Sequence, residues 1–318
     1  MRDTRPEAGD AMREKVSRRI AVTIDDLPWA GLGIRSANAP AHMASHHPRL
    51  VAALQAAKAP VVGFVNEGKL EGENGLVPER VDMLHDWLDA GAELGNHTHA
   101  HLDLHAVGLP RYQQDILDGE RVTRELLQER GAAPRWFRHP FLRAGRTAED
   151  KSALAEFLAK HGYRVAPVTV DNSEWIWARA YRSVLEGDAA RDAREATLAR
   201  LRADYVPYMI AKLAYFEAQS RELLGYELPQ VLLLHANELN AETYGALVTA
   251  IRARGYRFVT LEEALRNPAY ARVDGYHGAY GPSWLHRWAI AEERPKEFFA
   301  GEPATPEWVM TLAGVESE

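Results

Sequence analysis

None of the 318 residues is a cysteine. A disulfide framework, a thiol nucleophile and a thiolate metal site are therefore excluded, and a bound metal has to be held by histidine and carboxylate. No apolar run approaches the ~20 residues that a membrane span needs. Met1 to Arg19 are dense in Arg, Glu and Asp and contain no hydrophobic stretch, so the chain as given carries no signal peptide. That fits a cytoplasmic protein, or a periplasmic or secreted one whose signal was removed. The net charge of −7 and a pI near 6.0 leave no polycationic footprint for nucleic acid or an anionic membrane. Internal repeats, low-complexity tracts and clear linkers are also missing. With 46% apolar residues the chain can bury a large core, and one main domain is the expectation.

What is present is a strand–helix alternation. Arg19–Asp25 reads as a buried strand, His47–Ala57 as a helix, and Pro60–Phe64 as a second strand. Val77–Asp89 has helical spacing and ends before Gly91; Ala92–Gly95 is a very short strand. Arg111–Arg130 reads as one long helix, followed by strand Arg135–Arg138, helix Glu149–His161 and strand Arg164–Val170. Gln230–Leu234, Glu242–Arg254 and Arg257–Val259 complete the series as strand, helix and strand. Such alternation predicts parallel βαβ units, either a barrel or a doubly wound sheet, over roughly 250 residues, the usual size of a closed βα barrel. The expected layout is a flexible N-terminal extension over 1–18, a barrel over 19–268 with a helical insertion at 178–228, and an aromatic tail over 269–318 packed on it.

The chemistry gathers where strands end. Asp25 and Asp26 follow the first strand, and His97 and His101 lie in the loop after the third. Arg138-His139-Pro140 follows the fourth; Asp171 and Glu174 follow the next; His235-Ala236-Asn237 follows Leu232-Leu233-Leu234. In βα barrels the carboxyl ends of the strands share one face, where sites are built. Asp26, His97 and His101 form a three-ligand N/O set that leaves a position for water on a catalytic metal. Zn²⁺ suits such ligands best, and Co²⁺, Ni²⁺, Mn²⁺ or Fe²⁺ also accept two histidines and a carboxylate. Asp25 is then free to take a proton from water, and His235 to give one to a leaving group. Glu174 can keep His235 protonated, and Arg138 can hold Asp25 in a bidentate ion pair.

Plainer roles exist for each residue. Paired aspartates after a strand also cap helices or solvate loops. Histidines four apart occur three times here, at His42–His46, His97–His101 and His101–His105, in a chain with 13 histidines. His42, His46 and His47 read as solvated loop, His99 and His105 as structural or rim residues, and His139 as packing or lining the site. Trp175, Trp177, Trp284 and Trp288 read more readily as core than as sugar platforms. A closed structural metal site would want four protein ligands, and only three converge.

Taken together these residues resemble the polysaccharide deacetylases of carbohydrate esterase family four, over Ile20 to about Leu265. Thr23-Ile24-Asp25-Asp26 is similar to that family's first motif, and His97-Thr98-His99-Ala100-His101 to its second. Arg138-His139-Pro140-Phe141 resembles the third, Asp171-Asn172-Ser173-Glu174-Trp175 the fourth, and Leu232-Leu233-Leu234-His235 the fifth. Ile24, Phe141 and Glu174 stand where the family usually has Phe, Tyr and Asp. The resemblance implies a distorted (β/α) barrel of about seven strands and removal of N-acetyl or O-acetyl groups from a carbohydrate. It gives Asp25 the role of base, Asp26, His97 and His101 those of metal ligands, and His235 that of acid. Arg138 steadies the base, while Pro140, Phe141 and Trp175 lie on the substrate and oxyanion side, with the Phe141 N–H as oxyanion donor. Family relatives also hydrolyse C–N bonds of small amides, imides or ureides. An inactive carbohydrate-binding protein is disfavoured because base, ligands and acid are all present.

Overall fold

The computed structural model describes residues 18–31 and 39–318. The extension expected over 1–18 lies outside these except for Arg18, which opens the first strand. Seven parallel strands make the main sheet: β1 (Arg18–Leu27), β2 (Val61–Val65), β3 (Glu93–Asn96), β4 (Trp136–Phe137), β5 (Arg164–Val165), β6 (Gln230–His235) and β7 (Tyr256–Phe258). Their order is β5-β4-β3-β2-β1-β6, with β7 beside the start of β1. The central strands are buried on both faces, which is why β2 and β6 read as unbroken apolar runs rather than alternating ones.

The stretch Arg164–Val170 is ladder-paired only at its start. Pro167 has no N–H to offer a neighbour, and the chain leaves β4 there. It meets the sheet again at Val170, which bridges Leu232 of β6, with Thr169 N and Val170 N both donating to Val231 O at 3.0 Å. This segment draws the two sides of the sheet towards each other and curls it into a barrel-like shell. The fold is the expected distorted (β/α) barrel.

Helices surround the shell. The first, α1 (Ala39–Ala57), begins eight residues before the expected start at His47. His42, His46 and His47 are therefore helical and not loop. His47 is buried, with Nε2 3.0 Å from Asp86 of α2 (Pro78–Asp89), because Leu50, Val51 and Leu54 seat this helix on the core. The single helix expected over Arg111–Arg130 is two, α3 (Leu109–Asp118) and α4 (Arg121–Gln128). Two contacts impose the break. Gly119 lies against the backbone of Thr98 and His99, where a Cβ would sit 2.4 Å from the nearest atom. The buried Glu67 carboxylate accepts from the N–H groups of Val122 and Thr123 and so caps α4.

After α5 (Ala148–Lys160) and β5, two helices fill the interval before β6: α6 (Glu174–Glu186) and α7 (Arg191–Leu224). They are followed after β6 by α8 (Glu238–Ala253). The C-terminal stretch holds α9 (Trp284–Ala291) and α10 (Glu307–Ala313), and α10 packs on α6. Trp177, Trp284 and Trp288 are core residues, as their composition suggested. No helix among the described residues is long and apolar enough to cross a membrane.

Candidate active site

Asp25 and His235 are brought together by strand register: in the parallel pairing of β1 with β6 they stand opposite one another. The next residue, Asp26, has φ 70°, a left-handed turn that aims its carboxylate away from that of its neighbour. One strand end thus presents two carboxylates to two different places.

The histidine loop is fixed by its own polar groups. Asn96 closes β3; its Oδ1 accepts from Thr98 N at 2.7 Å and its Nδ2 donates to Ile116 O at 2.9 Å. Thr98 and His101 have φ of 65° and 53°, and Thr98 Oγ1 accepts from His101 N. Asn66 Nδ2 and Gly68 N donate to the carbonyls of His97 and His99. These bonds turn both imidazoles inward, ring centroids 4.8 Å apart and edge to face.

Asp26 Oδ1 then lies 3.9 Å from His97 Nε2 and 3.8 Å from His101 Nε2, and the three ligand atoms fall within 4.8 Å of one another. The donor set fits a divalent cation on three grounds. Asp26 Oδ1 is buried and, among the described residues, has no hydrogen bond of good geometry; its close cationic neighbour is Lys69 Nζ at 3.0 Å, an ion pair that leaves acceptor capacity on the carboxylate. His97 Nδ1 sits 2.8 Å from Arg138 O and donates to it, which fixes the tautomer and presents the Nε2 lone pair to the site. Burial pushes His97 and His101 below the usual histidine value, so both are neutral, as metal ligands must be. Burial alone would raise Asp26, but Lys69 and the imidazoles outweigh it and hold the carboxyl well below the usual carboxylate range.

Asp25, 3% exposed, is pushed by burial up to about 6, with Arg138 and His235 only partly offsetting it. Arg138 does not form the expected bidentate pair. Its Nε is 3.9 Å from Asp25 Oδ2, its Nη2 donates to Thr23 Oγ1 at 2.7 Å, and Nε and Nη1 have no hydrogen-bond partner among the described residues. The guanidinium rests over Phe64 at 4.8 Å, too far back to fork onto the carboxylate. It acts on Asp25 by charge.

Glu174 is 1% exposed and its Oε2 accepts from His235 Nδ1 at 2.6 Å. The extra methylene is absorbed by two asparagines: Asn237 and Asn240 donate their Nδ2 to Glu174 Oε1 at 2.5 and 2.8 Å. Burial works against a charged His235, yet the Glu174 bond and charge prevail and push it up to about 9. Replacing Glu174 by Gln removes that charge and lets the His235 pKa fall. If protonated His235 is required, activity disappears as pH rises through its pKa, so the alkaline limb moves from near 9 to lower pH. A pH–rate profile of both proteins checks this.

Phe141 sits in the turn Pro140–Leu142 with φ 55°, its ring 4.6 Å from that of His101, and it is 52% exposed. Among the described residues its N–H has no backbone or side-chain acceptor. Trp175 is also not core: it is 44% exposed and stands where two cavities meet, with Asp26 and Ala30 common to both. One cavity, about 770 Å³, runs past Lys69, His99, His101 and Phe141. The other, about 390 Å³, is walled by α6 through Ala178, Arg179 and Arg182 and ends at His235. His139 lies behind the site, buried against Phe137 and Tyr112. Among the described residues Asp171 accepts only from the Asn172 N–H next to it.

Sequence reasoning missed Lys69 and Asn240. Lys69 Nζ is 3.0 Å from Asp26 Oδ1, on a short turn after β2. Its only signal was position, directly beyond a strand end. Asn240 stands one helical turn into α8 and had no signal beyond the polar run His235-Ala236-Asn237-Glu238.

Fold and site together define a class of (β/α) proteins that gather carboxylates and histidines, here Asp25, Asp26, His97, His101 and His235, at the ends of parallel strands. Residues 13–166, just under half of the chain, match the polysaccharide deacetylase family model. Among solved structures the chain is similar to a CE4 family pseudoenzyme from Bacillus anthracis, at 13% identity and TM-score 0.51, covering 79% of this chain and 66% of that one. A mutant of that protein with restored enzymatic activity matches at 14% identity and TM-score 0.50, covering 79% and 68%. The peptidoglycan deacetylase PdaC from Bacillus subtilis matches at 18% identity and TM-score 0.48, covering 81% and 96%. The chain spans about two thirds of the length of the Bacillus anthracis protein, and the likeness at these identities is one of fold. No curated protein matches the sequence.

Proposed function

We propose that this chain is a metal-dependent hydrolase that removes acetyl groups, chiefly N-acetyl groups, from a carbohydrate. The observation that carries the reading is the division of labour around one cleft. A ligand set, a separate buried carboxylate and a carboxylate-backed histidine face it from the ends of β1, β3 and β6, with Asp25 and Asp26 both on β1. A pseudoenzyme shares the fold, so activity here rests on this chain holding all three parts together.

Asp26, His97 and His101 would hold the metal, most suitably Zn²⁺. When bound, such an ion supplies a Lewis acid that polarises a carbonyl and makes water a usable nucleophile near neutral pH. Asp25 takes the proton from the attacking water, and its raised pKa matches it to that task near neutral pH. The Phe141 N–H donates to the oxygen that gains charge as the acetyl carbon becomes tetrahedral. His235, kept protonated by Glu174, gives its proton to the departing amine nitrogen. The C–N bond breaks, releasing acetate and a free amino sugar. Arg138 keeps Asp25 oriented through its charge, and Trp175 and Phe141 offer apolar faces to the substrate.

A small amide or ureide is the second reading, favoured by the way α6 walls one side of the cleft and shortens it. Acetate release from N-acetylglucosamine oligomers, run beside ring opening of small cyclic amides, separates the two. Acetate release supports the proposal; turnover of cyclic amides alone would move the assignment to the second substrate class.

A further inference from the structure

The turn that presents the Phe141 N–H is held from behind by a part of the chain outside the region matched to the family. Phe141 and Leu142 have φ of 55° and 53°, two consecutive non-glycine residues in the left-handed region. Such a conformation is unfavourable for a residue with a Cβ and persists only where the surroundings impose it. The turn's own bonds are Leu142 N to His139 O at 3.0 Å and Arg143 N to Pro140 O at 3.1 Å. The rest of the restraint comes from the C-terminal stretch. Arg287 of α9 donates from Nη2 to Leu142 O. Gly281 approaches the turn so closely that a Cβ there would meet Phe141 O at 1.9 Å.

Arg287 is itself locked. It is 1% exposed, its Nη1 donates to Asp274 Oδ2 at 2.8 Å and its Nε to Pro282 O at 3.0 Å. Its guanidinium lies over Trp284 at 4.3 Å, and Trp284 N is tied to Val168 O at 2.7 Å. Asp274 is paired in turn with Lys151 of α5 at 2.9 Å. A planar, multiply bonded guanidinium on a carbonyl is a stiff strut. We infer that Arg287, seconded by Gly281, is a positioning residue that holds the Pro140–Leu142 turn so that the Phe141 N–H faces the reacting carbonyl. The C-terminal stretch is thereby a working part of the site.

The kinetic arm of the test rests on the hydrolase reading; the exchange arm does not. In Arg287→Met, which keeps bulk beside Trp284 and beside Tyr276, whose ring centroid lies 5.4 Å from the guanidinium, the amides of Leu142 and Arg143 exchange at least about tenfold faster, while β1 and β3 amides are unchanged. On an acetylated substrate kcat falls about 10- to 100-fold with KM within about twofold and metal content unchanged. Arg287→Lys, which retains charge and a donor, recovers part of both losses. Gly281→Ala, which pushes on Phe141 O, gives the same pair of effects and decides the matter if Arg287→Met does not fold. Unchanged exchange at the turn overturns the inference. So does faster exchange with full kcat. A wild type that hydrolyses neither acetyl sugars nor small amides overturns the hydrolase reading instead, and exchange alone then decides whether Arg287 positions the turn.

Discussion

Asp25→Asn lowers acetate release by about 10²–10⁴-fold, the usual worth of a general base, and leaves metal content as in wild type. The amide keeps the size and burial of the carboxylate, and the ligand atoms of Asp26, His97 and His101 belong to other side chains. Loss of turnover therefore reports on proton transfer and not on an emptied site. The wild-type acid limb should mark the same group. In the proposed role Asp25 works as the carboxylate, so activity is expected to be lost as pH falls through its pKa, about 6. A cation at Asp26 favours the charged form and moves the limb below that value. Elemental analysis and acetate assays on the same preparations check this; retained turnover would remove Asp25 from the role of base.

The double variant His97→Ala/His101→Ala loses the metal and acetate release together. Wild type should carry about one divalent ion per chain by elemental analysis, and the variant almost none, since one carboxylate is left of a three-ligand set. A second readout needs no substrate. A ligand that binds only the folded chain stabilises it by about 4 kcal/mol at a thousandfold excess over its Kd. Chelation thus lowers the melting temperature of wild type and leaves that of the variant unchanged. Equal metal in the two proteins would mean that these histidines are not ligands.

Much of this site was legible because parallel strands sort their ends onto one face, so residues far apart in sequence could be grouped by position alone. Asp25, Asp26, His97, His101 and His235 were found in that way. What could not be read were contacts set by register and by distant segments. Nothing local in Leu232–His235 says that it pairs one-to-one with Val22–Asp25. Arg138 was expected to fork onto Asp25, but a strand end fixes its Cα and leaves the guanidinium over Phe64, short of hydrogen-bonding reach. Lys69 depends on a turn pinned to the histidine loop, and Arg287 on a stretch some 145 residues beyond the carbonyl it holds. Periodicity overran the break at Gly119, whose cause is backbone packed against it from another loop. It also understated α1, where apolar spacing carries the helix through three histidines and Pro48.

Arg138 serves this site twice, through parts of the residue that answer to different kinds of change. Its carbonyl oxygen aims His97, and its guanidinium faces Asp25. A codon change can erase the guanidinium but has no access to the carbonyl, which every amino acid carries. On the proposed roles, a substitution at position 138 would remove the charge beside Asp25 and still offer His97 Nδ1 a main-chain acceptor.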